Sequence, residues 1–561
     1  MIFRTQLVLD HTHFFEGSPP ENRIELINKI PKDLLIYEFA GLNFKLKYKT
    51  DLFPDNTFET QKELLKYFCM HDLLTYNRFS KVAAVFTKNK TDFPSIFTKS
   101  MALFALEEII NTEFPEPAED FKMARIENWE SILKYILAVN YELNKVPINE
   151  SPTLENLTVS SILHNELNID TNPIFTLYRG FKLINYFINE TGFKDELIEF
   201  FNDINTTPYA FLGSIMHTIS VKGSSKKQLQ FAHHLPKKVE ALETLLRFKP
   251  IQNKDYRTLL SIKKNPVKLY NESEYVVLDY SFLINKSYMF LLNDFWFDKI
   301  KGQKNENGSS KYNIKIYRST FGKFFEKYTE ELLSKAFQFL KHPKPMLFDD
   351  LKYTTNRGDI EIADVYIRQN KKVIIGQVKS NSIYDKEKFS GNIGEMYRND
   401  RERFFKDFGV SQLIDSINYL SSHADLFDNR INVFSRLTVY PLLIVNEDLF
   451  KTPLFTNIFR IRFIELIDQV NDKRFDIKGL VVLHVSDIEH LLMKLKNKKL
   501  SIWNLLDNYL KRTRKEPVLP PFSYFSREHV DEGSVPDFIM EEFKDVITEY
   551  NKIGKEISQN I

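Results

Sequence analysis

Cysteine is nearly missing from this sequence: Cys69 is the only one among 561 residues. A disulfide framework and a cysteine-based zinc site are both excluded within one chain. Such usage fits a reducing compartment. Glycine is scarce as well, 17 against 49 phenylalanines, which favours large packed cores over flexible linkers. Net charge is only +2, so no strong global attraction to polyanions is written in the composition, and any charged binding face has to be local. No window approaches the ~18 consecutive apolar residues of a membrane helix. The N-terminal MIFRTQLVLDHTHFF places an Asp and two His where a signal peptide needs an unbroken apolar run. A cytoplasmic protein without membrane contact is expected.

What is present is a globular composition, 43% hydrophobic and 27% charged, long enough for about three to five domains. Residues 1–78 carry the strand-like runs RTQLVLD, LLIYEFA and FKLKYKTDLF, so a mixed α/β segment is expected there. Apolar residues repeat at three- and four-residue spacing through SIFTKSMALFALEEII and NWESILKYILAVNYELN, which predicts a mainly helical domain over 79–300. KGQKNENGSSKYN (301–313) breaks all periodicity and marks a boundary. It has two glycines but no GK[ST], so a phosphate-cradling loop is not supported. From 313 to 500 strands alternate with helices, implying an α/β domain with a central mixed sheet flanked by helices. Residues 501–561 read as a helical tail. Ser486-Asp487-Ile488-Glu489 has the pattern of a capping box.

The chemistry concentrates between Phe321 and Ser380. In VIIGQVKS (373–380), alternation sends Gln377 and Lys379 to one face and Ile374, Gly376 and Val378 to the other. A lysine on an otherwise apolar strand requires a partner. EIADVYI supplies Asp364 on the preceding strand, and a hairpin turning at Arg368-Gln369-Asn370-Lys371 sets the two strands side by side. An Asp carboxylate is a hard ligand suited to Mg²⁺, a Gln carbonyl can assist the metal or orient water, and a Lys can orient water or stabilise negative charge. The upstream helix brings Glu326 next to an apolar stripe, with Glu330 one turn later as its competitor. Glu361 has the opposite strand parity to Asp364 and is expected to face away unless a bulge intervenes.

The set G-x-x-F-E on a helix, Asp, hairpin and Q-x-K resembles the PD-(D/E)xK nuclease superfamily. More narrowly it is similar to Mrr-like restriction endonucleases and anti-phage effector nucleases in which Gln replaces the usual acidic residue. The resemblance covers about 100 residues, roughly 320–420, and extends weakly to about 500. It implies a restriction-endonuclease-like core and hydrolysis of DNA phosphodiesters in bacterial defence, with Mg²⁺ or Mn²⁺ as cofactor. Gly322 and Glu326 match the helix motif, Asp364 the metal-binding Asp, and Gln377 and Lys379 the Q-x-K pair. Ser380 follows as the small polar residue, and Gln412 corresponds to a polar helix residue near the scissile phosphate. Metal ligands would be Asp364, Glu326 and Gln377. A catalytically inactive nuclease-fold scaffold and an RNase are the rival readings. Expected protein partners are an ATPase, helicase or sensor subunit, or a second copy of the chain.

Basic clusters offer phosphate contacts: Lys494, Lys496, Lys498 and Lys499, then Lys511, Arg512, Arg514 and Lys515, with Lys496, Lys499 and Arg512 the foremost candidates. The segment 222–238, with Lys222, Lys226, Lys227, Lys237 and Lys238, is locally basic. His11 and His13 sit at strand-like alternation without an evident third metal ligand, and His233-His234 is a similar pair.

Overall fold

The computed structural model describes residues 7–47, 58–69, 73–85, 94–116, 126–145, 173–221, 231–234, 239–341, 344–355, 358–388, 393–423, 428, 431, 436–452, 455–468, 473–514, 520–529 and 536–560. These fall in two units. One lies within 311–536, and the other is drawn from 2–147, 170–310 and 537–561. No helix among the described residues is long and apolar enough to cross a membrane.

The 311–536 unit is α/β. Asn313 caps helix α1 (Ile314–Ala336), its side chain accepting the Lys315 backbone N–H at 2.8 Å. Among the described residues the unit's main sheet has six strands: β1 (Met346–Leu347), β2 (Val365–Gln369), β3 (Lys372–Lys379), β4 (Leu437–Val445), β5 (Phe475–Ile477) and β6 (Val481–His484). β1, β2 and β3 form an antiparallel meander. β4 then adds parallel to β3, and β5 and β6 pair parallel with the first and last parts of β4. The β3-to-β4 crossover contains α2 (Arg401–Asp407) and α3 (Val410–His423). Later helices are α4 (Phe455–Ile467), α5 (Val485–Lys496) and α6 (Ile502–Thr513).

β3 is a central strand buried on both faces. On one side Val373 and Ile375 join Val439 and Leu443 of β4 in a core with Leu413 and Ile417 of α3 and Phe459 of α4. On the other, Ile374 and Leu442 line an apolar pocket with Leu333 of α1 and Leu491 and Leu495 of α5. The two-layer cover leaves the C-terminal end of β3 as the place where a polar strand face meets the helices.

Three local expectations change. The hairpin turn is only Asn370-Lys371, with Asn370 at φ +54°. Arg368 and Gln369 belong to β2, and the buried Arg368 pairs with Asp428, which also accepts the Tyr366 hydroxyl at 2.5 Å. Strand propensity carries Arg368 inward because a carboxylate awaits it. The cap of α5 is His484, with Asp487 reaching back to its N–H at 2.9 Å. Glu489 lies inside the helix and accepts the Tyr328 hydroxyl. The stretch 501–561 is divided, since α6 and Phe522–Arg527 belong to this unit and Lys544–Asn560 to the other.

The second unit is mainly helical around a three-stranded antiparallel sheet ordered Ala232–His234, Glu274–Val277, Val267–Asn271. LLIYEFA and FKLK, read as strands, lie in one helix, Lys32–Lys47. Leu35, Ile36, Phe39, Ala40, Leu42, Phe44 and Leu46 are all buried, so the helix is apolar nearly all round and its 3.6-residue period is hidden. His11 and His13 likewise sit in a short helix, His11–Phe14, with His13 Nδ1 2.9 Å from Asp10 Oδ1. Helix Pro208–Val221 packs against Lys544–Asn560 at Gly213, where a Cβ would meet Glu549 Cβ and Tyr550 N at 3.1 Å. His233 is buried beside the Tyr280 hydroxyl. Lys222, Lys226, Lys227, Lys237, Lys238 and Lys515 lie outside the described residues.

Candidate active site

The register Val365↔Gly376 continues one step outward to set Asp364 opposite Gln377. Asp364 N donates to Gly376 O at 3.1 Å, and its carboxylate Oδ2 accepts Val378 N at 2.6 Å. Lys379 Nζ stands 3.5 Å from the same Oδ2 and donates to Gln377 Oε1 at 2.9 Å. Gln377 Nε2 donates to Ser416 Oγ on α3 at 3.1 Å, and Ser416 in turn donates to Gln412 O at 2.8 Å. Asp364 and Gln377 are each 4% exposed. Lys379 keeps 18% of its side chain exposed.

Gln377 therefore spends both polar atoms within the protein. It fixes the Lys379 ammonium and is itself fixed by Ser416. Gln412 contributes its backbone carbonyl to that chain, while its side chain faces solvent. Serine at 416 was invisible to sequence reasoning because its role depends on α3 crossing β3.

Two further carboxylates join Asp364. β2 does not continue back to Glu361. The chain breaks at Ile362–Ala363, and Glu361 ends a separate hairpin, Lys352–Thr355 with Gly358–Glu361. The parity argument that sent Glu361 away holds only within one unbroken strand, and the break turns it toward Asp364, with which it hydrogen-bonds. Glu326 comes from α1. Gly322, one turn earlier, faces Ser380: a Cβ there would stand 3.5 Å from Ser380 Oγ. Glu326 is the α1 acid whose charge reaches Glu361, Lys379 and Asp364.

Burial pushes the Asp364 carboxyl up, and Glu326 adds to this, against Lys379 and the Val378 N–H, which pull it down. Glu361 is raised by burial and then by Asp364. Glu326 is raised by burial and then by Glu361, although its side chain reaches solvent. Lys379, Lys352 and Lys323 pull these acids down, yet burial prevails at all three.

Gly409 completes the site. It has φ +84°, and a Cβ on it would come within 2.8 Å of Lys379 Cε and 3.3 Å of Gln377 Cβ. Only glycine meets both the backbone and the space requirement. Gly409 separates α2 from α3 and forms the floor beneath the lysine.

The donor set of Asp364, Glu361 and Glu326 is hard oxygen, fitting Mg²⁺ or Mn²⁺. The raised carboxyls are what a divalent cation would relieve. Among the described residues no three His, Cys, Asp or Glu side chains are grouped so as to hold a metal ion.

The basic candidates are elsewhere. Trp503 Nε1 donates to Gln369, and Lys372 Nζ is 2.7 Å from Asp507, so α6 and the C-terminal end of α5 sit at the hairpin turn. Seven residues at ~3.3 Å separate Lys372 from Lys379, about 23 Å along β3. The structure thus does not bring Lys496, Lys499 or Arg512 to the site, and Arg512 pairs with Glu528 at 2.8 Å.

No family model, curated protein or solved structure matches this chain.

Proposed function

We propose that the 311–536 unit is a metal-dependent nuclease that hydrolyses DNA phosphodiester bonds. The observation that carries this reading is the convergence of Asp364, Glu361 and Glu326, each raised by burial, on Lys379 and Gln377 at the end of a buried hairpin. Perturbed acids beside an ordered lysine mark functional sites more than packing. The order of helix, Asp, hairpin and Q-x-K in the sequence, and the contact of Gly322 with Ser380, support the restriction-endonuclease-like assignment.

Asp364, Glu361 and Glu326 would hold the cation. When bound, it supplies Lewis acidity and positive charge next to the scissile phosphate. Lys379 orients the attacking water and offsets charge developing on the phosphate. Gln377, held by Ser416, positions the Lys379 ammonium rather than replacing a lost carboxylate ligand. That division of labour explains how a Q-x-K site works with one acid fewer on β3: Glu361 restores the charge from the neighbouring hairpin. A role in bacterial defence against phage or foreign DNA is carried by the resemblance alone.

The test is cleavage of supercoiled plasmid by the full chain in Mg²⁺ and in Mn²⁺, with labelled RNA in the same tube. Lys379→Ala is expected to lower the DNA rate about 10³-fold, with far-UV circular dichroism confirming that the variant folds. No cleavage with either metal overturns the reading in favour of a scaffold, and preferential RNA loss moves it to RNA.

A further inference from the structure

The chain leaving Lys379 forms a loop tied down at two points by one buried carboxylate. Ile383 N donates to Glu447 Oε2 and Lys388 Nζ to Glu447 Oε1, both at 2.9 Å, and Glu447 is 4% exposed. Between the two ties Tyr384 is held outward, 41% exposed. Two guanidinium groups sit on its ring, Arg318 at 5.0 Å and Arg398 at 4.3 Å from the centroid.

Each arginine is delivered by a different device. Arg318 lies on α1, one turn before Gly322, the residue that faces Ser380. It is exposed and makes no ion pair among the described residues. Arg398 and its neighbour Asn399 both have left-handed backbone, φ +55° and +59°. Two successive non-glycine residues in that region are uncommon and strained. The turn is held by Arg398 N on Glu395 O at 2.8 Å and Asn399 N on Gly394 O at 3.0 Å. Glu387 accepts Arg398 Nε at 2.9 Å and neutralises part of its charge, fixing the guanidinium's orientation. The result is an exposed, net-positive pair of planar donors braced on an aromatic ring, beside the strand end that bears Lys379.

Packing alone does not account for it. A surface tyrosine gains little from two arginines brought by separate elements, one of them through a strained turn. Two guanidiniums a ring apart match phosphate oxygens, which accept paired N–H donors from arginine more readily than from lysine. The ring restricts both side chains, so less order has to be imposed on binding.

We propose that Arg318, Tyr384 and Arg398 form a phosphate clamp for the DNA strand entering the Asp364–Lys379 site. This rests on the nuclease reading for its substrate, and binding separates the two. A labelled DNA duplex is titrated with the full chain by fluorescence anisotropy, without divalent cation, over a series of salt concentrations. Arg318→Ala and Arg398→Ala are each expected to reduce the slope of log affinity against log salt by about 0.9, one phosphate contact apiece. Tyr384→Ala weakens binding although it removes no charge, and Tyr384→Phe stays near wild type. Melting curves confirm that the variants fold. An unchanged slope and affinity in the double arginine variant overturn the clamp, and they leave the nuclease reading standing if the wild type cleaves. A reduced slope with a wild type that never cleaves keeps the clamp and removes the nuclease. Absence of wild-type binding at low salt overturns the clamp.

Discussion

Asp279 and Asp364 are the same residue, equally hidden at 3% and 4% exposure, in the two units of one chain. Burial alone raises both. At Asp279 that is overcome by Lys47 Nζ at 3.1 Å, Asn43 Nδ2 at 3.0 Å and Phe282 N at 2.9 Å, and its carboxyl ends below its ordinary value. At Asp364 burial prevails, with Glu326 adding to it, over Lys379 at 3.5 Å, the Val378 N–H and the hydrogen bond with Glu361. The mainly helical unit repeats the balanced pattern elsewhere. Lys264 and Lys286 meet Asp294 and Asp298, two cations on two anions, and burial pushes Lys286 down only to about 8. Glu107, fully buried, caps a helix start through Ser261 N and Ile262 N. The acids beside Lys379 are left raised by burial, and under the proposed reading a cation is what would meet them.

The sharpest way to break that contrast is to unmatch Asp279. Lys47→Met should destabilise the protein by about 3 kcal/mol at neutral pH, since it strands a buried carboxylate, without changing the cleavage rate of the folded protein. Asp279 sits below its ordinary value in the fold, so its contribution is present above pH ~4 and fades as the pH falls through its folded value. The deficit in urea melts should shrink in acid. A deficit of equal size at pH 3 would show that lost packing, not charge, is responsible.

Gly409→Ala attacks the other side. The added methyl collides with Lys379 Cε, and displacement of about 1 Å at a reacting group costs on the order of 10²-fold in rate. Plasmid cleavage is expected to fall by that factor, with the far-UV spectrum unchanged. A variant as active as wild type would show that Lys379 is not held by Gly409.

Glu361→Gln gives the smallest effect and the most diagnostic sign. Glu361 is raised in the fold, so its ionised form costs stability above its folded value and nothing in acid. In EDTA the variant should melt higher than wild type at pH 8 and equally near pH 4. The gain stays below about 1 kcal/mol because the group is open to water. Added Mg²⁺ should reverse the order, raising the wild type more than the variant. Destabilisation at pH 8 in EDTA would remove the claim that the acids are under-compensated.

Much of this site was legible residue by residue. Strand alternation put Gln377 and Lys379 on one face, and hairpin length put Asp364 beside them, because both follow from local geometry that sequence fixes. Glu361 was misjudged for the same reason: parity is reliable only while the strand lasts, and the break at Ile362–Ala363 leaves no composition signal. Ser416, Gly409 and the ring of Tyr384 act across 39, 30 and 66 positions respectively, distances at which spacing carries no information. The helix Lys32–Lys47 was hidden by being buried on all sides, and the basic residues at 496–512 looked available because nothing local shows which end of a sheet a helix covers.

By itself the sequence determined the α/β alternation after residue 313, the strand that carries Lys379 and the acid opposite it, since side-chain period and turn length are properties of the backbone. The tertiary structure decided which acids crowd that lysine, which glycine lies beneath it and which arginines flank its entrance. Those choices depend on where helices cross the sheet, and packing of distant segments sets that crossing.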